Sequence, residues 1–207
     1  SAELYSYSLE PAPCFRGVDD RIRGGRSISH ASVEGKRLRF YGHLDIEALG
    51  GAGFASQCTP TSISFSKFAG VRFKVYPSSS ETNADNPKTF VLSLKTTLPE
   101  TRPDGRNKAR VAYEYSFSRE CKEAKIIVAL WKDFLPTYRG RPYPKASSLI
   151  SQKSAVELSW MCRSNFGQQA GDFELVVGEP DESAGAAKQP SATTNMVGDN
   201  CARCFVI

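Results

Sequence analysis

The sequence predicts an all-β protein, a jelly-roll β-sandwich, on three observations. Apolar and polar residues alternate at period two in short segments along most of the chain. The stretches between them are rich in Gly, Pro, Asn and Ser, and no long helical pattern occurs. Successive side chains on a strand point to opposite faces, so such alternation marks half-buried strands. In order, Leu38, Phe40, Gly42, Leu44 and Ile46 alternate with Arg39, Tyr41, His43 and Asp45. Val71, Phe73 and Val75 alternate with Arg72 and Lys74. Phe90, Leu92 and Leu94 follow the same rule, as do Val111, Tyr113, Tyr115 and Phe117. Residues 125–130 form a continuous apolar strand candidate, Val156, Leu158 and Trp160 alternate again, and residues 173–177 close the series. The separators include PSSSETNADNPK at 77–88 and LPETRPDGRNK at 98–108. Only PKASSLISQK, at 144–153, reads as a short helix. Seven or more strands without long helices indicate a sandwich.

Bulk properties narrow the function classes. The 207 residues suit one ordinary domain and a tail. A net charge of +5 permits an acidic partner but lacks the clustered basic composition of a nucleic-acid binder. No apolar run approaches the ~20 residues that span a bilayer. The opening SAELYSYSLEPAPCF carries no basic-then-apolar signal and no arginine-rich amphipathic pattern. Cys14, Cys58, Cys121 and Cys162 stand far apart, as scattered buried thiols do, and no Asn-x-Ser/Thr sequon occurs. Both point to a reducing, intracellular setting. After Val177 the chain turns small, polar and proline-bearing, the composition of a flexible tail over 180–207.

The stretch DRIRGGRSISH, residues 20–30, joins two glycines to three arginines. A Walker loop needs G-x-x-x-x-G-K-[ST] and a dinucleotide loop needs G-x-G-x-x-G, each between a strand and a helix; neither spacing is present. The local reading is a turn that needs positive φ at glycine, with solvated arginines around it. A second glycine cluster, LGGAGFAS, follows at 49–56.

Taken together, Asp19-Asp20-Arg21-Ile22-Arg23-Gly24-Gly25-Arg26-Ser27, Phe40-x-Gly42-x-Leu44 and Gly50-Gly51-x-Gly53-Phe54-Ala55-Ser56 resemble the complex I intermediate-associated protein 30 family. Phe68-Ala69-Gly70-Val71-Arg72-Phe73, Trp131 to Arg141 and Gly171-Asp172-Phe173-Glu174-Leu175 are similar to its later motifs. One departure is Phe15-Arg16, where the family has a tryptophan before the opening motif. The resemblance implies a galactose-binding-domain-like jelly roll over 15–179, after an N-terminal extension at 1–14. It implies a chaperone-like assembly or scaffolding factor for mitochondrial respiratory complex I, with protein partners in a membrane-associated complex, no catalytic residues and no cofactor. The glycine segments and the basic loop at 139–145 would form the working surface. Its binding candidates are Arg21, Arg23, Arg26, Tyr138, Arg139 and Arg141.

Other chemistry is sparse. His30 and His43 are the only histidines, and HExxH, GxSxG and EF-hand patterns are absent. No metal-ligand spacing occurs. His43 beside Asp45 on an outward strand face, with Tyr41, is the constellation an enzyme reading would use, as a cyclase or isomerase of secondary metabolism. Arg102, Arg106, Lys108 and Arg110 form a further basic loop that reads as solvated. Without interleaved stacking aromatics these loops do not point to nucleic acid. Trp131 and Trp160 lie in or beside apolar strands, where core packing is the default. A small-molecule ligand stays open, and carbohydrate binding follows from fold analogy alone. Finally, Cys204-Phe205-Val206-Ile207 fits C-a-a-X, with Cys204 as a prenyl acceptor and Cys201 as a palmitoyl site. Used together, they would anchor the chain at the cytosolic membrane face.

Overall fold

The structure, a computed structural model, describes residues 3–77, 88–118 and 123–180. Its strands are β1 (Leu4–Ser6), β2 (Arg16–Gly17), β3 (Ile28–Glu34), β4 (Arg37–Leu44), β5 (Phe54–Ser64), β6 (Gly70–Tyr76) and β7 (Thr89–Lys95). They continue with β8 (Val111–Ser118), β9 (Lys125–Leu130), β10 (Leu135–Tyr138), β11 (Arg141–Pro142), β12 (Ser154–Arg163) and β13 (Gly171–Gly178). They build a jelly-roll sandwich of two sheets. The larger runs β11-β10-β8-β7-β12-β5-β2. The smaller has β3-β4-β13-β6, with β9 along one side of β6 and β1 beside the half of β6 that β13 leaves uncovered.

The period-two alternation becomes a shared core. Leu38, Phe40 and Leu44 from β4, with Phe173, Leu175 and Val177 from β13, face Phe90, Leu92, Leu94 and Trp160 of the other sheet. Aromatic rings join the sheets edge to face: Phe73 lies 5.1 Å from Trp160 and Phe40 lies 6.3 Å from Phe90. Each large side chain buried this way contributes on the order of 1.5–3 kcal/mol. Trp131 is 2% exposed and its indole N–H reaches the Phe68 carbonyl at 2.6 Å, so both tryptophans belong to the core.

Three features depart from the sequence expectation. The helix expected over 144–153 is a single 3₁₀ turn, Leu149–Ser151, whose Leu149 side chain is buried. Ten residues with Pro144 near the start and Ser147, Ser148 and Ser151 cannot offset the cost of helix nucleation. Second, β3 and β5 carry no clean alternation. In β5 both faces are covered, so Ser56, Gln57, Cys58 and Thr59 are all buried. Pro60 is accommodated beside a register shift in the pairing with β12. Third, the segment 1–14 set apart as an extension is woven in. Leu4–Ser6 pairs in parallel with Gly70–Arg72, and Tyr7 and Leu9 are buried in the core. The tail expected over 180–207 lies outside the described residues beyond Pro180.

Candidate functional site

The opening motif folds into a clasp. Asp20–Arg23 makes one 3₁₀ turn ended by Gly24 at φ 85°. Asp20 is 1% exposed; its Oδ1 accepts the Ser27 backbone N–H at 2.9 Å. Its Oδ2 accepts the Ser27 hydroxyl at 2.6 Å and the Phe54 N–H at 3.2 Å. Asp19 accepts the Ser29 hydroxyl at 2.5 Å, the Ser29 N–H at 3.2 Å and the Ser56 N–H at 3.0 Å. Ser27 and Ser29 lead into β3 of the smaller sheet, while Phe54 and Ser56 begin β5 of the larger. Each carboxylate therefore bonds to both sheets. Gly25 sits where a Cβ would stand 2.3 Å from the Asp20 carboxyl, so only glycine lets the acid close over the turn. The second glycine cluster is pinned by Ser164, whose hydroxyl donates to the Gly51 carbonyl at 2.5 Å and accepts the Gly53 N–H at 2.9 Å.

The three arginines of the motif stand outside this clasp. Arg21 meets Asp19 at 3.3 Å, Arg23 lies 5.7 Å over the Phe54 ring, and Arg26 reaches Asp45 at 3.3 Å and Glu47 at 3.0 Å. They are paired within the protein and form no phosphate cradle. Tyr138, Arg139 and Arg141 occupy the tight β10–β11 hairpin at the edge of the larger sheet. Arg139 (φ 53°) and Gly140 (φ 75°) make its two-residue turn. Arg139 lies 5.5 Å over Tyr138, which in turn packs 5.6 Å from Tyr143. The motif arginines and this hairpin thus lie on separate elements. Cys201 and Cys204 lie outside the described residues.

The alternative catalytic set does not assemble. His43 Nδ1 contacts Asp172 Oδ1 at 2.7 Å, not Asp45, and both side chains are more than half exposed. Asp45 instead accepts the Ala48 N–H at 3.0 Å and meets Arg26; with these groups its carboxyl is held below its usual pKa range. His43 and Asp45 line a shallow depression of about 330 Å³ with Arg26, Glu47 and Gly171. Tyr41 is not in it. Among the described residues no group of three or more His, Cys, Asp or Glu side chains is placed to hold a metal, and no helix is long and apolar enough to cross a membrane.

The outer face of the smaller sheet carries arginines and tyrosines alongside the carboxylates of Asp172 and Glu174. Arg37, Arg39, Tyr41 and His43 of β4 point outward, opposite in phase to Leu38, Phe40 and Leu44. Tyr41 is flanked by the Arg39 guanidinium at 4.0 Å and the His30 ring at 5.3 Å. Arg39 Nε also donates to Glu174 at 2.5 Å. Tyr76 of β6 carries Arg37 at 4.0 Å and Lys74 at 5.2 Å. Sequence reading placed Arg39, Tyr41 and His43 in this outward phase but did not single out Arg37, Arg39 or Tyr76 as binding residues. The signal was there: Arg37 and Arg39 share the outward phase of β4. Tyr76 joins them only through strand order.

Comparison with known proteins agrees with this architecture. The family model described as Complex I intermediate-associated protein 30 matches residues 8–177. An uncharacterized protein of Schizosaccharomyces pombe is 39% identical over 172 residues, which cover 79% of this chain and 74% of that protein. Among solved structures, the family 11 carbohydrate-binding module of the cellulosomal cellulase Lic26A-Cel5E of Clostridium thermocellum superposes with a TM-score of 0.53 at 14% identity. The match spans 86% of this chain and 93% of that module, a likeness of fold alone.

Proposed function

This chain belongs to the complex I intermediate-associated protein 30 family, and from that premise we propose that it is a non-catalytic binding module that assists the assembly of a protein complex. The finer reading is mitochondrial respiratory complex I, reached through an acidic surface of one of its subunits or intermediates. The observation that carries the docking surface is the pair Arg37 and Arg39, each with its guanidinium 4.0 Å over a tyrosine ring on an exposed sheet face. Residues two apart on a strand stand ~6.6 Å apart on one face. A guanidinium held against a ring presents planar donors to carboxylates with little side-chain entropy left to lose, and Arg39 is further fixed by Glu174. Both tyrosine rings already carry cations, so they offer no open platform for nucleobases, and an acidic protein surface fits better. A net charge of +5 favours the same encounter. The chemistry-bearing motif residues support a non-catalytic role as well, because Asp19 and Asp20 are engaged in the clasp.

Affinity capture from native mitochondria tests the reading. Tagged wild-type protein should retain complex I subunits, and an Arg37→Ala variant, which leaves the Arg39–Glu174 pair intact, should retain about ten-fold less at an unchanged melting temperature. Capture of no complex I subunit by the wild type would sink the proposal.

A further inference from the structure

The excess positive charge of the chain gathers at one end of the larger sheet. Strand register brings its connections together there. Lys95 closes β7 opposite Glu157 near the start of β12, and Val111 opens β8 opposite Tyr138 at the end of β10. Tyr138 in turn pairs with Arg141, the first residue of β11. The connection 96–110, the Arg139–Gly140 turn and the run 143–153 into β12 therefore leave the sheet at the same end. Two bonds tie them to the strands: Arg110 donates to the Thr97 carbonyl at 2.6 Å, and the Tyr113 hydroxyl donates to the Ser147 carbonyl at 2.9 Å.

Residues 98–110 and 139–145 carry seven Arg and Lys side chains. Three of them are matched: Arg102 with Asp104 at 3.7 Å, Lys108 with Glu100 at 2.8 Å and Arg110 with Glu157 at 2.7 Å. Arg106, Arg139, Arg141 and Lys145 have no carboxylate partner among the described residues, and all four are exposed. Against a net charge of +5 for the whole chain, these four are most of the excess. Apolar side chains stand out among them. Leu98 is 74% exposed in the 96–110 connection, Ile150 is 58% exposed in the turn before β12, and the rings of Tyr138 and Tyr143 are each more than a third exposed.

We propose that this end of the larger sheet docks on an anionic lipid surface, with Arg106, Arg139, Arg141 and Lys145 against the phosphates and Leu98 and Ile150 dipping into the acyl boundary. Basic side chains are drawn to an anionic bilayer within a Debye length, about 8 Å in physiological salt. Tyrosine suits the same depth, since its ring is apolar and its hydroxyl polar. A bilayer interface accepts separate apolar tips one by one while its headgroups neutralise the cations around them; a folded partner would need a matched pocket for each. Nucleic acid fits less well. Tyr138 already carries Arg139 at 5.5 Å and packs 5.6 Å from Tyr143, and aliphatic tips have no role along a phosphate backbone. This surface lies on the other sheet from Arg37 and goes beyond the assembly role, so either proposal can fail alone.

The test is co-sedimentation of the full chain with vesicles of phosphatidylcholine alone and with about one-third phosphatidylglycerol. Binding to the anionic vesicles only, weakening as salt rises, is expected. Arg139→Gln/Arg141→Gln should bind them at least about ten-fold more weakly, and Leu98→Ser/Ile150→Ser about ten-fold more weakly. Both should keep the wild-type melting temperature, because all four side chains are exposed; where a double variant does not fold, its single variants take its place. In a Leu98→Trp variant, the new indole emission should shift to the blue on anionic vesicles. Equal binding to neutral and anionic vesicles, binding to neither, or wild-type affinity in either double variant would overturn the proposal. Tighter binding of a single-stranded oligonucleotide than of anionic vesicles would reassign this end to nucleic acid and overturn the lipid surface.

Discussion

The guanidinium of Arg37 lies 4.0 Å from the ring centre of Tyr76, although β13 runs between their strands. Gly178 is the reason. It is the register partner of both Arg37 and Lys74, and it leaves the space in which the arginine crosses. A Cβ there would stand 2.4 Å from the Lys36 carbonyl oxygen, 3.1 Å from the Tyr76 ring and 3.5 Å from Arg37 Cγ. Gly178→Ala is therefore expected to lower stability by about 1–3 kcal/mol, read from urea denaturation. The same substitution should displace Arg37 and weaken capture of the acidic partner.

A second expectation separates a structural clasp from an anion-binding loop. Asp20→Ala deprives the Ser27 N–H, the Ser27 hydroxyl and the Phe54 N–H of one shared acceptor. The loss should be about 3 kcal/mol or more. Arg21→Ala, next to Asp20 in the same motif but more than half exposed, should change stability by less than about 1 kcal/mol. If the two variants melt alike, the clasp is not what holds the sheets.

Acid sensitivity should centre in part on Glu157. Burial pushes its carboxyl up, but Lys95 and Arg110 outweigh that and hold it below its usual range. A carboxyl depressed by folding adds stability that is fully present above its unfolded pKa, about 4.3. That contribution disappears as the pH falls through the lower folded value. The stability gap between wild type and Glu157→Gln should thus be wide at pH 7 and narrow steadily below about pH 4. Denaturant titrations across that range measure it; a gap independent of pH would contradict the assignment.

Thiol reactivity should follow burial. Cys14 is exposed, whereas Cys58 and Cys162 are buried. Burial, with Glu157 nearby, raises the Cys58 thiol, and burial pushes Cys162 up to about 12. Since the thiolate is the reactive form, iodoacetamide at pH 8 should alkylate Cys14 in the native protein and spare the other two until urea is added. Peptide mapping of the labelled chain reads the result.

The legible parts of the fold were those with one wet face. β4 alternates because it buries one side only, and it was plain in the sequence. β5 was not, since its Gln57 is buried yet satisfied by the Ser29 carbonyl and hydroxyl, a partner 28 positions away. The opening motif could be recognised but not interpreted from the sequence. Asp19 and Asp20 find their partners at Ser27, Ser29, Phe54 and Ser56, and nothing local announces that pairing. His43 was rightly placed on an outward face, but its carboxylate is Asp172, 129 positions on, where strand pairing alone brings it.

Adjacent acids that each grip both sheets leave no carboxylate oxygen for a visitor. Any molecule seizing Asp19 or Asp20 would first have to pry the sandwich apart. The family's most recognisable letters therefore spell out architecture and stay silent about cargo. Whatever a chain with these letters meets, it must meet through residues that lie outside the motif.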